Sequence, residues 1–153
     1  MVADDVTFVC VPCGPCTAGA GPCDAPLQIP GSGRIQFHGR VAGDDNVVGS
    51  CGGAAGPESV FRFTPAVTGC YEFATCGTSF DSQLSLGDGL CGATGPFPQA
   101  CFDDNQTCAA GGPHEYTFGF FDAGQPITVL LDSQGSQGGD YTLDVRPSVA
   151  CIL

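Results

Sequence analysis

From Arg34 onward, apolar and polar residues alternate with a period of two. Ile35 and Phe37, continued by Gly39 and Val41, face one way; Gln36, His38 and Arg40 face the other. The segment from Ser59 to Thr64 sets Phe61 and Phe63 against Val60 and Arg62, and Tyr71 and Phe73 alternate with Cys70 and Glu72. Leu84 and Leu86 alternate with Gln83 and Ser85. Tyr116, Phe118 and Phe120 form a further row, then Ile127, Val129 and Leu131, and finally Tyr141, Leu143 and Val145. Period two is the signature of a strand with one buried face. Turn signals separate these runs at Gly43-Asp44-Asp45-Asn46, Pro65 to Gly69, Ala123-Gly124-Gln125-Pro126 and the Gly/Ser/Gln stretch 133–139. No window carries a helical stripe. The pattern predicts about seven short strands and an all-β, antiparallel sandwich. The stretch from Gly87 to Pro113, rich in Gly, Pro and Cys, predicts no element.

Composition narrows the picture. Gly and Pro together supply 24 and 12 of the 153 residues, which excludes a mostly helical chain. The 42% apolar content suffices for one core, and the length suits one ordinary domain. Four Arg and no Lys stand against 16 acids, for a net charge of −12. Nucleic acid and anionic membrane surfaces need a basic patch, so neither is expected as a partner. No apolar run is long enough to span a membrane.

Eleven cysteines point to an oxidising compartment and a disulfide framework, and their odd number leaves one for a free thiol, another chain or a metal. The expected location is extracellular or the cell surface. No signal peptide is visible after Met1, so the expectation is that one was removed and that Met1 need not be native.

Residues 1–33 differ from the sandwich domain expected over 34–153. Cys10, Cys13, Cys16 and Cys23 lie among five prolines, and only Val6 to Val11 reads as a strand. This is an extended, cross-linked arm, too poor in apolar residues to fold alone. Cys13-Gly14-Pro15-Cys16 matches a redox tetrapeptide, but the Gly- and Ala-rich residues after it cannot form the helix that would lower the first thiol's pKa. The Cys10, Cys13, Cys16 spacing also fits part of an iron–sulfur or zinc site, although Cys23 is misplaced for a ferredoxin-like fourth ligand. Disulfides are the default reading in a secreted chain.

Asp44-Asp45-Asn46 and Asp103-Asp104-Asn105 are the densest groups of oxygen ligands. Two readings stand for each: turn chemistry, with side chains bonding nearby backbone N–H groups, or Ca²⁺ ligation. Asp81 reads as a loop brace. His38 and His114 are the only histidines, and neither lies in a nucleophile, zinc or phosphate-loop motif, so the expectation is a non-enzyme. All three tyrosines fall on expected core faces, which leaves no sugar-stacking platform.

Ser50-Cys51-Gly52-Gly53, Ser59 to Pro65, Gly69-Cys70-Tyr71-Glu72-Phe73, Thr75 to Leu84, Cys91-Gly92, Ala100 to Asn105 and Gly138 to Val145 occur in an order that resembles the bacterial pre-peptidase C-terminal (PPC-type) domain. The resemblance is to its cysteine-containing variant in secreted proteins of myxobacterial type, and it covers about 40–146. It implies a jelly-roll-like sandwich that accompanies secreted enzymes without being catalytic, sometimes binds polysaccharide or protein polymers, and in some members binds Ca²⁺. It also implies Cys51–Cys76 and Cys91–Cys101 disulfides. Cys70, Cys108 and Cys151 stay unassigned. Cys70 should point out of the sandwich, toward the arm or Cys151. Two functions follow as expectations. One is a secreted module for stabilisation, targeting or binding. The other is a filament or surface-layer subunit, self-associating through the arm and an intermolecular disulfide.

Overall fold

The computed structural model describes residues 6–10, 26–42, 56–88, 101–104, 106–108, 113–135 and 138–151. Twelve strands occur among them: β1 (Val6–Cys10), β2 (Leu27–Ile29), β3 (Arg34–Val41), β4 (Glu58–Phe63), β5 (Gly69–Ala74), β6 (Ser82–Asp88), β7 (Cys101–Asp103), β8 (Gln106–Thr107), β9 (Pro113–His114), β10 (Tyr116–Phe121), β11 (Ile127–Ser133) and β12 (Gly139–Ser148). Two five-stranded sheets pack face to face, in the orders β1-β3-β12-β5-β10 and β2-β4-β11-β6-β7; β8 and β9 form a small separate ladder. The fold is the expected all-β sandwich. No helix among the described residues is long and apolar enough to cross a membrane.

Most pairs are antiparallel. The two exceptions both involve the first 33 residues: β1 runs parallel to β3, and β2 parallel to β4. The arm therefore supplies one edge strand to each sheet. β2 escapes the sequence reading because three residues show too little alternation, and β7 because it lies in the Gly87–Pro113 stretch.

The core forms where the inner rows meet. Ile35, Phe37, Tyr71, Phe73, Leu143 and Val145 of the first sheet pack against Phe61, Phe63, Leu84, Ile127, Val129 and Leu131 of the second. Phe63 is its hub, with edge-to-face contacts to Tyr71 at 4.9 Å, Phe73 at 5.5 Å and Phe121 at 6.4 Å. Tyr71 buries its ring and donates its hydroxyl to the Val67 carbonyl at 2.7 Å, so no polar atom of the phenol is stranded. At the start of β12 the chain passes so close to β3 that a Cβ on Gly138 would lie 2.2 Å from the Val41 carbonyl oxygen, and its φ is +57°. Only glycine fits there.

Two sequence expectations change. The row Tyr116, Phe118, Phe120 was expected to face the core and faces outward instead. Phe118 and Phe120 are 47% and 65% exposed, while Thr117 is buried and Phe121 packs on the core cluster. Pairing with β5 decides this. Phe118 lies opposite Glu72 and Phe120 opposite Cys70, the outward residues of β5, while Gly119 lies opposite the inward Tyr71. Gly119 leaves room for the Phe121 ring, which a Cβ there would approach to 2.8 Å. Second, β11 is buried on both faces: Thr128, Leu130 and Asp132 are as inaccessible as Val129 and Leu131. Val60, across from Leu130 on the outward row, is also fully buried.

The described disulfides join Cys70 to Cys151 and Cys76 to Cys108. Cys70 points outward as expected and takes the C-terminal alternative. The Cys51–Cys76 pairing implied by the resemblance is overturned, because Cys108 holds Cys76. Cys101 is disulfide-bonded. Cys51, Cys91, Cys13, Cys16 and Cys23 lie outside the described residues, as does the side chain of Cys10.

Candidate functional site

Two surface features stand out, one on each sheet. The first is an acidic corner at the β6–β7 edge. These strands pair antiparallel, with Gln83 opposite Asp103 and Ser85 opposite Cys101. Asp81 immediately precedes β6 and Asp104 immediately follows β7, so this register carries both to the end of the ladder beside Asp103. One carboxylate oxygen from each of Asp81, Asp103 and Asp104 lies within 4.8 Å of the others, and all three residues are exposed. Asp104 takes the left-handed backbone conformation, φ 51°, which Asp tolerates better than most residues.

Two amides hold the corner. Gln83 Nε2 donates to Asp103 Oδ2 at 3.2 Å, and Gln134 Nε2 donates to Asp103 Oδ1. The Gln134 backbone N–H also donates to the Asp81 carbonyl at 2.9 Å. Burial, with the negative charges of Asp104 and Asp103 beside it, holds the Asp81 carboxyl above the ordinary aspartate value. Of the residues predicted to bind metal, Asp103 and Asp104 are brought together. Asn105, Asp44 and Asp45 lie outside the described residues. Asp81, expected only to brace its loop, joins the cluster. The clue to it was the strand register, which single-strand periodicity does not contain.

Glu115 lies in the interior nearby. It is fully buried and accepts hydrogen bonds at Oε2 from Thr75 Oγ1 at 2.6 Å and from Ser82 Oγ, next to Asp81 in the chain. Its Oε1 has no donor among the described residues. Burial raises the Glu115 pKa, and the hydrogen bonds from Ser82, Thr75 and the backbone only partly offset it.

The second feature is the outer face of the first sheet. Its centre is polar: Asp144 takes Arg34 Nε at 3.1 Å and Gln36 Nε2 at 3.0 Å. Arg146 Nε donates to Glu72 at 2.6 Å, and Ser148 donates to the same carboxylate. Burial alone would raise the Glu72 carboxyl, but hydrogen bonds from Ser148, Arg146 and Tyr116 outweigh it and hold it below the ordinary value. Glu72, Arg146, Pro147, Ser148 and Val149 line a shallow groove. Along the edge of this face runs the outward row Tyr116, Phe118, Phe120, with the first two rings 6.2 Å apart. The expected lack of any exposed tyrosine thus fails at Tyr116, which is half-buried on this surface.

The two histidines are far from forming a pair. His38 is on the exposed face of β3, 3.2 Å from Thr142 Oγ1, and His114 is buried in β9. Cys13-Gly14-Pro15-Cys16 lies outside the described residues. Comparison of the chain with protein-family models, with curated proteins and with solved structures finds no match in any of the three.

Proposed function

We propose that the chain is a secreted, non-enzymatic bacterial β-sandwich module that binds an extended strand of a partner protein along β10. The observation that carries this reading is the outward aromatic row on an uncharged edge strand. β10 pairs only with β5 among the described strands, and its sequence, YTFGFF, contains no charge and no proline. Edge strands are ordinarily guarded by charge, proline or shortness. The second sheet's edges follow that rule: β2 and β7 have three residues each, β2 lies between Pro26 and Pro30, and β7 ends in Asp103. An unguarded edge with aromatic side chains beside it offers main-chain hydrogen bonds for affinity and ring contacts for selectivity. Disulfides at Cys70–Cys151 and Cys76–Cys108 support an extracellular setting. The motif order that resembles a PPC-type domain supports the same setting, and Ca²⁺ fits it as a stabilising ion.

The test is titration with hexapeptides of alternating apolar and polar residues. The wild type should bind them; a chain with Phe118→Lys and Phe120→Lys should not, nor should N-methylated peptides bind the wild type. Equal binding of N-methylated peptides, or binding of polysaccharide instead, would overturn the reading.

A second reading, a subunit of an extracellular filament, rests on β1. It sits at the opposite edge of the same sheet, where among the described strands it pairs with β3 alone, in parallel. If β1 from one copy seats on β10 of the next, the sheet continues from subunit to subunit and the assembly does not close. Light scattering would then show growth with concentration that stops when residues 1–9 are deleted. Purely monomeric behaviour at high concentration excludes it.

A further inference from the structure

We infer that the strand bound along β10 is basic on one face. Its Lys or Arg residues, at alternate positions, stack on Tyr116, Phe118 and Phe120, and the apolar residues between them turn inward beside Phe121. The inference rests on the strand-binding reading above and names the chemistry of the partner.

The two faces of an added strand meet different surfaces. Every second side chain lies on the outward face, across from Tyr116, Phe118 or Phe120. Residues directly across a ladder have Cβ atoms about 5 Å apart, so a long side chain there reaches over the neighbouring ring. The Tyr116 and Phe118 rings are 6.2 Å apart, and Phe118 and Phe120 are exposed. The remaining side chains of the added strand turn toward the row Thr117, Gly119, Phe121. Phe121 packs on the core cluster yet stays partly exposed. An apolar residue beside it removes more of the ring from water.

Charge then selects among the side chains that could lie on the rings. The chain carries four Arg, no Lys and 16 acids, and Arg34, Arg40 and Arg146 are each held on a carboxylate, at Asp144, Asp140 and Glu72. No Lys or Arg lies in β10 or within two residues of either end. Acids stand at both ends instead. Exposed Asp122 follows Phe121. Buried Glu115 precedes Tyr116, and its carboxylate takes the Asp104 backbone N–H, which ties the acidic corner to the start of the strand. The field of such a chain draws cations and repels a strand that carries carboxylates. The face of an aromatic ring is also the negative pole of its quadrupole. A cation above an exposed ring gains about two- to fivefold in affinity. Lys and Arg further lay an apolar stem along the ring while the charged head stays in water.

The test is calorimetric titration of the full chain with three end-blocked hexapeptides. Val occupies the first, third and fifth positions of each; Lys, Gln or Glu occupies the other three. At about 0.05 M NaCl the Lys peptide should bind at least about tenfold more tightly than the Gln peptide, and the Glu peptide should not bind. The Lys advantage should shrink but persist at about 0.5 M NaCl, where surface charges are screened and stacking remains. Phe118→Leu with Phe120→Leu, which keeps the apolar surface and removes two rings, should cut the ratio of Lys to Gln affinities at least about fourfold. Amide resonances of β10 should shift on binding. If Lys and Gln peptides bind alike, the strand-binding reading stands and this inference falls. If none of the three binds, both fall. A Lys preference undiminished in the double variant would overturn the inference, because the field alone would then account for it. So would resonance shifts at Asp81, Asp103 and Asp104 in place of β10.

Discussion

Phe120→Ala and Phe121→Ala, compared side by side, test the orientation of β10 on which the proposed binding surface depends. The residues are adjacent and chemically identical, so helix and strand propensities cancel. Phe121 turns inward and makes edge-to-face contacts with Phe63 at 6.4 Å and Phe73 at 6.1 Å. Truncating a buried phenylalanine costs about 3–5 kcal/mol. Phe121 is only partly buried, which lowers the transfer part of that figure, but two aromatic pairs are lost at about 0.5–1.5 kcal/mol each. The expected loss for Phe121→Ala is therefore about 3 kcal/mol. Phe120 is 65% exposed, and Phe120→Ala should stay within about 0.5 kcal/mol of the wild type. The assay is guanidinium unfolding with the disulfides intact, followed by far-ultraviolet circular dichroism because the chain has no tryptophan. A larger loss for Phe120→Ala than for Phe121→Ala would mean that Tyr116, Phe118 and Phe120 are core after all. The aromatic row would then cease to be a surface, and the strand-binding proposal would fall with it.

Removing Cys70–Cys151 as paired alanines should cost more than removing Cys76–Cys108. The chain-entropy model gives about 4.5 kcal/mol for a separation of 81 residues and about 3.7 kcal/mol for 32; guanidinium midpoints of the two double variants give the order. Glu115→Gln should remove a pH dependence. Burial raises the native Glu115 pKa, so the native state binds this proton more tightly than the unfolded chain. Its contribution is complete below about pH 4.3, the unfolded value, and is lost as pH rises through the native pKa; the difference between wild type and variant over pH 4–7 isolates it. Asp144→Asn should act in the opposite sense. Burial opposes the charged form of Asp144, but hydrogen bonds from Arg34 and Gln36 outweigh it and lower the pKa. Its contribution is present above the unfolded aspartate value and is lost as pH falls through the native one. The variant should lose about 1–2 kcal/mol at neutral pH and show a flatter acid limb in the same unfolding series.

Most inward rows were legible because alternation is a local property. Ile35 and Phe37, Phe61 and Phe63, Tyr71 and Phe73, Leu84 and Leu86, and the inward residues of β11 and β12 all lie where their own spacing put them. β10 was misread because both of its faces are eligible: one carries Tyr116, Phe118 and Phe120, the other Phe121 alone. Aromatic count favours the wrong face, and only the register with Glu72 and Tyr71 decides. Burial of Val60 and Leu130 on the outward row of the second sheet has the same character, since a strand's own pattern cannot show what other parts of the chain lay over it. The corner was half legible. Asp103 and Asp104 were singled out as oxygen ligands, whereas Asp81 and Gln83 join them through strand pairing across some 20 residues of sequence. Disulfide partners were legible only for Cys70, whose outward parity left the arm or Cys151 as alternatives; spacing carries no connectivity, and the pairing implied by resemblance gave Cys76 the wrong partner.

The disulfides and the acidic corner are linked by topology. Asp81, Asp103 and Asp104 all lie inside the loop that Cys76–Cys108 closes, and Cys101, itself disulfide-bonded, begins β7 two residues before Asp103. Three carboxylates placed this close repel, and the charges of Asp104 and Asp103 add to burial in raising the Asp81 pKa. β7 has only three residues to pay the cost of staying paired. The covalent closure around the corner keeps β7 near β6 against that repulsion. Cys76→Ala with Cys108→Ala should therefore speed hydrogen exchange at the paired amides of β7 at least about tenfold. Cys70→Ala with Cys151→Ala, whose bridge joins other strands and has the larger entropic effect on stability, should leave that exchange unchanged once global stability is matched. Hydrogen exchange on the two double variants under conditions where both are folded separates position from stability. Equal acceleration by both would mean that the disulfides act on the corner only through global stability, and the topological link would be refuted.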